Sequence, residues 1–326
     1  MRSLAKDGRA LVRDGLRSVD RQVSRVSAAH EQPSLISLLF HAVFDRREQL
    51  EKSVVLPQER LTREDLVAVV EHFLDTGHTF VSPADVLAGL SETGLYVLLT
   101  FDDGYANNLS ILDVLGGYEV PVTVSVASTY VAEGKAFWWD VVYRERVRRG
   151  SEADVQRELL SVHRQGPAAI ERYLEHEFGV SALQPVSDLD RPMTAPELAH
   201  LAATPWITIG NHTADHATLP VCDTGEIERQ LLRAQDYIER TTGARPDFVS
   251  YPHGAYDDQV IAAARRCGLA AGCTIESRKD RLPLGLTEIM SLGRFSVVCG
   301  HRLAQELTLC RSDVRMERVV RRLVGR

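Results

Sequence analysis

Long apolar runs are missing from this chain of 326 residues, since no stretch of 18 or more apolar residues occurs. The sequence therefore predicts no membrane-spanning helix. The first 30 residues also lack the apolar core of a secretory signal, because basic side chains interrupt them throughout. Cysteine is scarce: the five cysteines are scattered and form no CxxC pair. This pattern argues against a disulfide scaffold or a zinc knuckle and favours a reduced, cytoplasmic location.

Charge is unevenly distributed along the chain. Residues 1–30 carry seven basic and three acidic side chains, and residues 311–326 carry six basic and two acidic ones. Because the whole chain has a net charge of −7, residues 31–310 carry −15. An acidic body argues against a nucleic-acid-binding surface, so we predict no nucleic-acid partner. With 44% hydrophobic residues, the chain is expected to fold rather than to be disordered.

The basic ends are expected to lie outside the main fold. In residues 1–30 the basic side chains recur every three or four positions, which predicts one amphipathic helix with a basic face. Three interpretations stay open: a helix packed on the domain or on a second subunit, a helix held at an anionic membrane surface, and a frayed tail. Residues 311–326 are predicted to form a basic helix or tail, and the sequence does not indicate the oligomeric state.

Strands and helices alternate from residue 34 onward, which predicts a parallel sheet, open or closed into a barrel. Residues 134–203 break this rhythm and are predicted to be an insertion of two or three helices in a single domain, 31–310. The predicted strands are Ser34–Phe40, Leu95–Phe101, Val120–Ala127, Trp206–Asn211, Phe248–Tyr251, Ala270–Ile275 and Ser291–Val298. The predicted helices are Thr62–Thr76, Pro83–Leu90, Asn108–Leu115, Thr224–Thr241 and Asp257–Cys267.

Two adjacent carboxylates, Asp102 and Asp103, end the apolar strand that begins at Leu95. Catalytic groups collect at this end of the strands in α/β folds. One carboxylate could bind a metal while its neighbour takes a proton from a water activated by that metal. Alternatively, both aspartates could cap the following helix through its backbone N–H groups.

Two histidines four residues apart, His212 and His216, follow the predicted strand at Trp206. A helix or a tight turn would present both imidazoles on one face, where they could meet one metal ion. Together with Asp103 they supply three protein ligands, the number found in an open catalytic zinc site. An isolated pair of surface or core histidines is the alternative, and the nearby carboxylates make it less favourable.

A third motif, Tyr251-Pro252-His253-Gly254, forms a Pro-x-Gly turn after a strand. Such a turn holds the backbone rigid and allows a ligand to approach closely. A backbone N–H there could stabilise an oxyanion beside a metal. Taken alone, the motif indicates only a turn.

Taken together, Thr100-Phe101-Asp102-Asp103-Gly104, His212-Thr213-x-x-His216 and Tyr251-Pro252-His253-Gly254 resemble the polysaccharide deacetylases of the NodB-homology type, carbohydrate esterase family 4. The end of the first strand, Phe40-His41, is similar to the Tyr-His of that family. The stretch Gly77–Ser82 is similar to its second strand. Phe137-Trp138-Trp139-Asp140 resembles a signature of one of its subgroups. The resemblance covers roughly residues 34–298.

This resemblance implies a distorted (β/α) barrel with a helical insertion and a metal-dependent carbohydrate N-deacetylase. The enzyme would hydrolyse the N-acetyl group of an amino sugar in a saccharide, glycolipid or glycosylated metabolite. Asp102 would be the general base, and Asp103, His212 and His216 would bind a divalent metal, most simply zinc. The backbone N–H of His253 would help to form the oxyanion hole. A non-sugar amide or cyclic amide hydrolase and a non-catalytic carbohydrate-binding module are the alternative functions.

The sequence departs from the family pattern at Phe40 and His253, where the family usually has Tyr, and at two positions that bear on catalysis. Ser250 stands where many members carry an arginine that orients the base, and Arg294 stands where many carry a histidine as general acid. An arginine cannot donate a proton at neutral pH, but Arg294 could hold Asp102 or bind substrate. His41 or His253 could supply the missing acid, and we slightly favour His41.

Aromatic and polar residues near the motifs are predicted to contact the substrate. Trp138 and Trp139 could stack on a sugar ring, or they could anchor the insertion by burying apolar area. Asp140 could bind a sugar hydroxyl or cap a helix. The complete predicted substrate-binding set is Tyr105, Trp138, Trp139, Asp140, Tyr251 and Pro252.

Overall fold

The computed structural model describes residues 27–313 of the chain. Nine strands lie within this part: β1 Ser34–Phe40, β2 Thr79–Phe80, β3 Leu95–Phe101, β4 Val122–Val126, β5 Ile207–Asn211, β6 Phe248–Ser250, β7 Ala271–Cys273, β8 Asp280–Arg281 and β9 Arg294–Ser296.

The α-helices of residues 27–313 alternate with the strands as far as β7, except that several helices lie between β4 and β5, and no α-helix separates β7, β8 and β9. The helices are α1 Arg63–Asp75, α2 Pro83–Ala88, α3 Ser110–Leu115, α4 Ser128–Glu133, α5 Trp138–Arg148, α6 Val155–Val162, α7 Pro167–Phe178, α8 Ala195–Ala202, α9 Thr224–Thr242, α10 Asp258–Arg266 and α11 Leu303–Arg311.

The sheet runs in the order β7-β6-β5-β4-β3-β1-β8, with β2 also paired to β3 and β9 also paired to β1. All of the pairings are parallel except that of β1 with the short strand β8. A parallel bridge from Cys273 to Leu292 brings the far edge back towards β9. The strands therefore form a nearly closed barrel, and the predicted distorted (β/α) barrel with a helical insertion is confirmed.

Burial explains why the central strands read as continuous apolar runs. All seven residues of β1 are buried, and so are the last five of β3. Parallel strands covered by helices have no solvent face, so the period-two alternation disappears. The register pairs Phe40 with Phe101, so these two strands end at the same level and place the residues that follow them side by side.

Side-chain caps mark where some of the helices begin. Thr62 accepts the Asp65 N–H, and the Asp65 carboxylate accepts the Thr62 N–H, a reciprocal capping box that starts α1. Asp257 accepts the Val260 N–H at 2.8 Å and begins α10, as the sequence predicts.

The predicted insertion, residues 134–203, contains four α-helices, α5 to α8, instead of two or three. Its first three, α5 to α7, share an apolar core of their own with residues 42–55 and Tyr105. The fourth, α8, packs against α9 and β5 and so belongs to the outer layer of the barrel. The limits predicted for the insertion and for the domain stay predictions.

Two predictions about the ends lie mostly outside the described residues, since residues 1–26 and 314–326 are not described. Within residues 27–313, α11 was not predicted from the sequence; its buried Leu303 and Leu307 belong to the main core. No helix of residues 27–313 combines the length and the apolar character needed to cross a membrane.

Candidate active site

The carboxyl ends of β1, β3, β5 and β6 carry the three sequence motifs and His41, so the parallel sheet gathers these residues at one rim. The backbone there is unusual. Of seven non-glycine residues with positive φ among residues 27–313, four lie in the motifs: Asp103, Thr213, His216 and His253. Such conformations are costly and persist where the surrounding fold imposes them, typically at functional sites.

Asp103, His212 and His216 form the one group in residues 27–313 whose ligand atoms all lie within 4.8 Å of one another in a metal-compatible arrangement. Asp103 Oδ1 is 3.3 Å from His212 Nε2 and 3.5 Å from His216 Nε2. All three side chains are buried. The predicted metal-ligand residues therefore meet at one point.

The donor set fits a cation. His212 Nδ1 lies 2.7 Å from the Ser250 carbonyl oxygen, which can only accept, so Nδ1 carries the hydrogen and Nε2 keeps its lone pair. Neither carboxylate oxygen of Asp103 has a hydrogen-bond partner. Burial, reinforced by the neighbouring imidazoles, holds the pKa of His216 well below its usual range. One imidazole nitrogen of each histidine and a carboxylate oxygen of Asp103 thus lie around one buried point, an arrangement that a divalent ion would satisfy.

Asp102, adjacent to this group, is held by Arg294. The guanidinium donates to both carboxylate oxygens, at 2.9 and 2.7 Å. Arg294 is fully buried and also donates to the Thr274 carbonyl at 2.8 Å and the Ser250 hydroxyl at 3.2 Å. Burial alone would raise the pKa of Asp102, but Arg294 outweighs burial and holds that pKa well below its usual range. The carboxylate is therefore ionised at neutral pH.

His41 forms a second charged pair at the same rim. Its Nδ1 lies 2.9 Å from a Glu59 carboxylate oxygen, and Ser296 donates to the other Glu59 oxygen at 2.8 Å. Burial lowers the pKa of His41, but Glu59 outweighs burial and raises that pKa to about 9. With Nδ1 bound to Glu59, a protonated His41 keeps its Nε2–H for another acceptor.

His253 also lies beside the metal-compatible group. Its ring centroid is 4.7 Å from that of His216 and 5.1 Å from that of His163. Burial, reinforced by His163, lowers the pKa of His253 to about 3. The imidazole is therefore neutral at pH 7, which makes it a poor proton donor compared with His41.

Several residues predicted to bind substrate lie in the interior. Tyr105 donates to Asp140 at 2.7 Å and accepts from the Trp139 indole at 2.8 Å, and both Tyr105 and Asp140 are fully buried. Asp140 also accepts the Leu56 N–H. Burial raises the pKa of Asp140 to about 8. These buried hydrogen bonds join the insertion to the barrel. The structure therefore does not support direct contact of Tyr105 or Asp140 with a sugar.

The remaining residues predicted to bind substrate are also buried. Tyr251 is fully buried, and Pro252 is buried beside it. Trp139 packs its ring 4.4 Å from that of His216, while Trp138 lies 6.2 Å from His253. The two tryptophans thus anchor the insertion against the motif residues, which is the alternative that the sequence left open.

Sequence reasoning missed Glu59 and His163. Glu59 lies in a polar stretch between Gln58 and Arg60, where no motif or periodicity marks it. His163 follows α6 in the insertion, and its backbone carbonyl accepts the Thr218 hydroxyl at 2.8 Å. Only the folded chain brings either residue to the rim.

Comparisons with known proteins agree with this architecture. A family model described as polysaccharide deacetylase matches residues 91–272, more than half of the chain. The Bacillus subtilis protein YlxY is 34% identical over 74 residues, which are 22% of this chain and 23% of that protein. The match thus spans less than a quarter of that relative.

Solved structures show a similar fold. The Streptococcus pyogenes deacetylase PplD, determined with acetate, is 15% identical over 86% of this chain and 99% of its own, with a TM-score of 0.59. The de-N-acetylase from Aggregatibacter actinomycetemcomitans is 15% identical over 84% of this chain and 99% of its own, with a TM-score of 0.58. At such identities the likeness establishes the fold and not the reaction.

Proposed function

The chain belongs to the polysaccharide deacetylase family, and on that premise we propose that it is a metal-dependent hydrolase that removes an N-acetyl group from an amino sugar. The observation that carries the proposal is the buried Asp103–His212–His216 group beside a carboxylate, Asp102, that Arg294 keeps ionised. A divalent ion held by the group, zinc by ligand type, would supply Lewis-acid polarisation of the amide carbonyl and a more acidic water.

Asp102 is the proposed general base. Its bidentate pairing with Arg294 fixes the carboxylate orientation and keeps it unprotonated, so it can take a proton from the attacking water. Arg294 thereby acts as a positioning residue. The arginine that many family members carry at position 250 is replaced by one reaching the same carboxylate from β9.

His41 is the proposed general acid. Protonated through its pairing with Glu59, it can give its Nε2 proton to the departing amine. The low pKa of His253 supports His41 over His253 in this role. The backbone N–H of His253 is proposed to stabilise the oxyanion, aided by the rigid turn after Pro252.

The proposed substrate is an N-acetylated saccharide or glycoconjugate. Cytoplasmic location and peripheral membrane contact through residues 1–30 stay predictions from the sequence. The products are acetate and an amine, which is cationic at neutral pH, and the acidic body of the protein would not repel it.

Metal content and acetate release together test this function. Purified protein should bind a divalent metal and release acetate from N-acetylglucosamine oligomers or lipid-linked precursors. Asp102→Asn should abolish hydrolysis with metal retained, whereas His212→Ala should lose the metal. Asp113→Asn and His200→Ala, both at exposed positions, serve as matched controls.

The outcomes separate the alternatives. Metal binding without acetate release from any N-acetyl sugar would shift the assignment to a non-sugar amide hydrolase or a carbohydrate-binding module. Protein that binds no divalent metal would overturn the catalytic proposal. Full activity in His41→Ala would remove His41 from the role of general acid.

A further inference from the structure

The two histidines of the metal-compatible group differ in how their rings are held. His212 donates its outer N–H, at Nδ1, to the Ser250 carbonyl oxygen at 2.7 Å. His216 turns Nε2 towards Asp103, so its outer nitrogen is also Nδ1, and that atom is buried and has no hydrogen-bond partner in residues 27–313. Histidines that bind metals almost always donate their outer N–H to an acceptor, which fixes the ring. Contacts other than a hydrogen bond must therefore orient His216.

Ring contacts surround His216 instead. Its centroid lies 4.4 Å from that of Trp139 and 4.7 Å from that of His253. Trp139 is 5% exposed and belongs to α5 of the insertion, whereas His253 is partly exposed. The backbone of His216 also has a positive φ of 53°, a conformation that the surrounding fold has to impose. Trp139 is thus the neighbour that the protein interior holds against the imidazole.

A buried hydrogen bond fixes Trp139 in turn. Its indole N–H donates to the Tyr105 hydroxyl at 2.8 Å, and that hydroxyl donates to Asp140 at 2.7 Å. The other oxygen of Asp140 accepts the Leu56 N–H at 2.7 Å. Because Tyr105 and Asp140 are fully buried, the indole cannot turn without leaving a buried donor unpaired, which is costly.

These contacts form a ring that starts and ends at the metal-compatible group. Tyr105 follows Asp103 by two residues, its hydroxyl holds Trp139, and Trp139 packs on His216, whose Nε2 faces Asp103 at 3.5 Å. Phe137 fills the space between the two aromatic residues, stacked at 16° on Trp139 and 4.3 Å from the ring of Tyr105. A displacement of the indole would therefore change the position of the imidazole.

We infer that Tyr105 and Trp139 are positioning residues of the metal site: Tyr105 fixes the indole, and the indole holds the His216 ring with Nε2 towards Asp103. The inference rests on the proposed function in one respect, that the Asp103–His212–His216 group binds a divalent ion. The insertion, which carries Trp139, thereby contributes to metal affinity without supplying a ligand.

Two variants weaken this arrangement to different degrees. Tyr105→Phe removes one hydroxyl and keeps the ring, so the indole loses its acceptor while the packing stays. Trp139→Phe removes the indole with its hydrogen bond and reduces the contact with His216. Tyr118→Phe is one control, because it removes a hydrogen bond from an exposed tyrosine to a carboxylate. Trp206→Phe, at a partly buried tryptophan that packs on the main core, is the other.

The affinity of metal-depleted full-length protein for zinc is the readout, measured in competition with a chromophoric chelator. The Kd should rise roughly 10–100-fold in both variants, the range for losing a group that orients a metal ligand, and should not change in the controls. The absorption spectrum of cobalt-substituted protein reports the ligand geometry and should change in the same two variants.

A role in the fold alone would lower the melting temperature of the metal-free variants and leave their zinc Kd unchanged. Thermal melting of each metal-free protein therefore accompanies the titration, and Tyr105→Phe decides the test if Trp139→Phe does not fold. An unchanged Kd in Tyr105→Phe, or an equal rise in Trp206→Phe, would overturn the inference. A cobalt spectrum identical to that of wild type in both variants would overturn it too.

Acetate release by the same proteins separates this inference from the proposed function. Weaker zinc binding in the two variants, without acetate release by wild type, would remove the deacetylase assignment and keep the positioning role. Acetate release by wild type, with an unchanged zinc Kd in the variants, would keep the assignment and remove the positioning role.

Discussion

The orientation and the ionised state of the Asp102 carboxylate depend on one arginine, Arg294, which lies 192 residues further along the chain. Because Arg294 is fully buried and its guanidinium also binds Thr274 and Ser250, it has a single orientation from which to hold the carboxylate. Ser250 is small enough to admit the guanidinium from β9. Strand β9 therefore positions the proposed general base, Asp102. In the family that the sequence resembles, the position of Arg294 on this strand would carry the general acid.

Replacing Arg294 tests this arrangement. Arg294→Lys keeps a charge but loses the bidentate fork, so we expect kcat/KM to fall roughly 10–100-fold. The pKa of Asp102 should rise, and the acidic limb of the pH profile should move to higher pH because the base must be ionised. Arg157→Lys, with a side chain that is 81% exposed, should change neither. An unmoved acidic limb would contradict the positioning role.

Replacing Glu59 tests the acid. The pKa of His41, raised to about 9 by Glu59, should fall in Glu59→Gln towards or below the ordinary histidine value of about 6.5. Since the acid must be protonated, the alkaline limb of kcat/KM should move to lower pH. Glu64→Gln, at an exposed position of α1, should leave the limb in place. If the limb stays near its wild-type position in Glu59→Gln, another group is the acid.

The metal-compatible group was predictable from sequence, but its surroundings were not. Asp103, His212 and His216 sit in short contiguous motifs at strand ends, where the chain itself fixes their spacing. Glu59 and His163 reach the rim through packing between distant segments, which leaves no local signal. The buried hydrogen bonds of Tyr105 and Asp140 were not predictable either, because polarity in the sequence does not distinguish a sugar contact from a buried hydrogen bond.

At the scale of elements, a buried ion pair within the insertion joins α5 to the segment that follows α7. Arg144 on α5 donates to Asp190 and to the Gln184 carbonyl, and it is 3% exposed. Asp190 is fully buried and also accepts the Ser187 N–H at 2.8 Å. Removing either partner would leave a buried charge unpaired.

Arg144→Met should therefore reduce the free energy of unfolding by about 3–5 kcal/mol, measured by denaturant titration. The double variant Arg144→Met/Asp190→Asn should recover part of this loss, because no isolated charge remains. Arg148→Met, with a side chain that is 62% exposed, should cost less than about 1 kcal/mol. Equal losses of unfolding free energy in Arg144→Met and Arg148→Met would show that the Arg144–Asp190 ion pair does not stabilise the insertion.

The central strands were predictable because burial on both faces produces continuous apolar runs, as in β1 and β3. The two-residue strand β8 was not, since Asp280 and Arg281 have no strand signature and pair only where β1 passes them. In the insertion, the short helices α5 to α7 pack around one apolar core, to which residues 42–55 also contribute side chains. Their number could not be read from local periodicity.

At the scale of the whole molecule, the first and last residues that the structure describes, Ser27 and Asp313, are in contact. Asp313 donates its N–H to the Ser27 hydroxyl at 3.0 Å, and Glu31 accepts from Arg311 at 2.9 Å. Residues 1–26 and 314–326 each carry a net charge of +4. This junction precedes β1, whereas His41 follows it, so residues 27 and 313 lie at the end of β1 opposite the proposed active site.

Vesicle sedimentation tests whether the basic ends contact a membrane. Full-length protein should sediment with vesicles rich in phosphatidylglycerol at low salt and be released at high salt, because each basic residue near an anionic surface contributes about 1 kcal/mol. A chain lacking residues 1–26 should bind much less. Equal binding of both chains, or binding to neutral vesicles, would contradict membrane contact through these residues.

The central claim is that Asp103, His212 and His216 hold a divalent metal on which amide hydrolysis depends. The most direct measurement is acetate release from an N-acetylglucosamine oligomer by one preparation, as purified, after chelation, and after addition of one equivalent of zinc. Chelation should abolish acetate release, and zinc should restore it. Release that continues at the same rate in protein shown to contain no metal would contradict it.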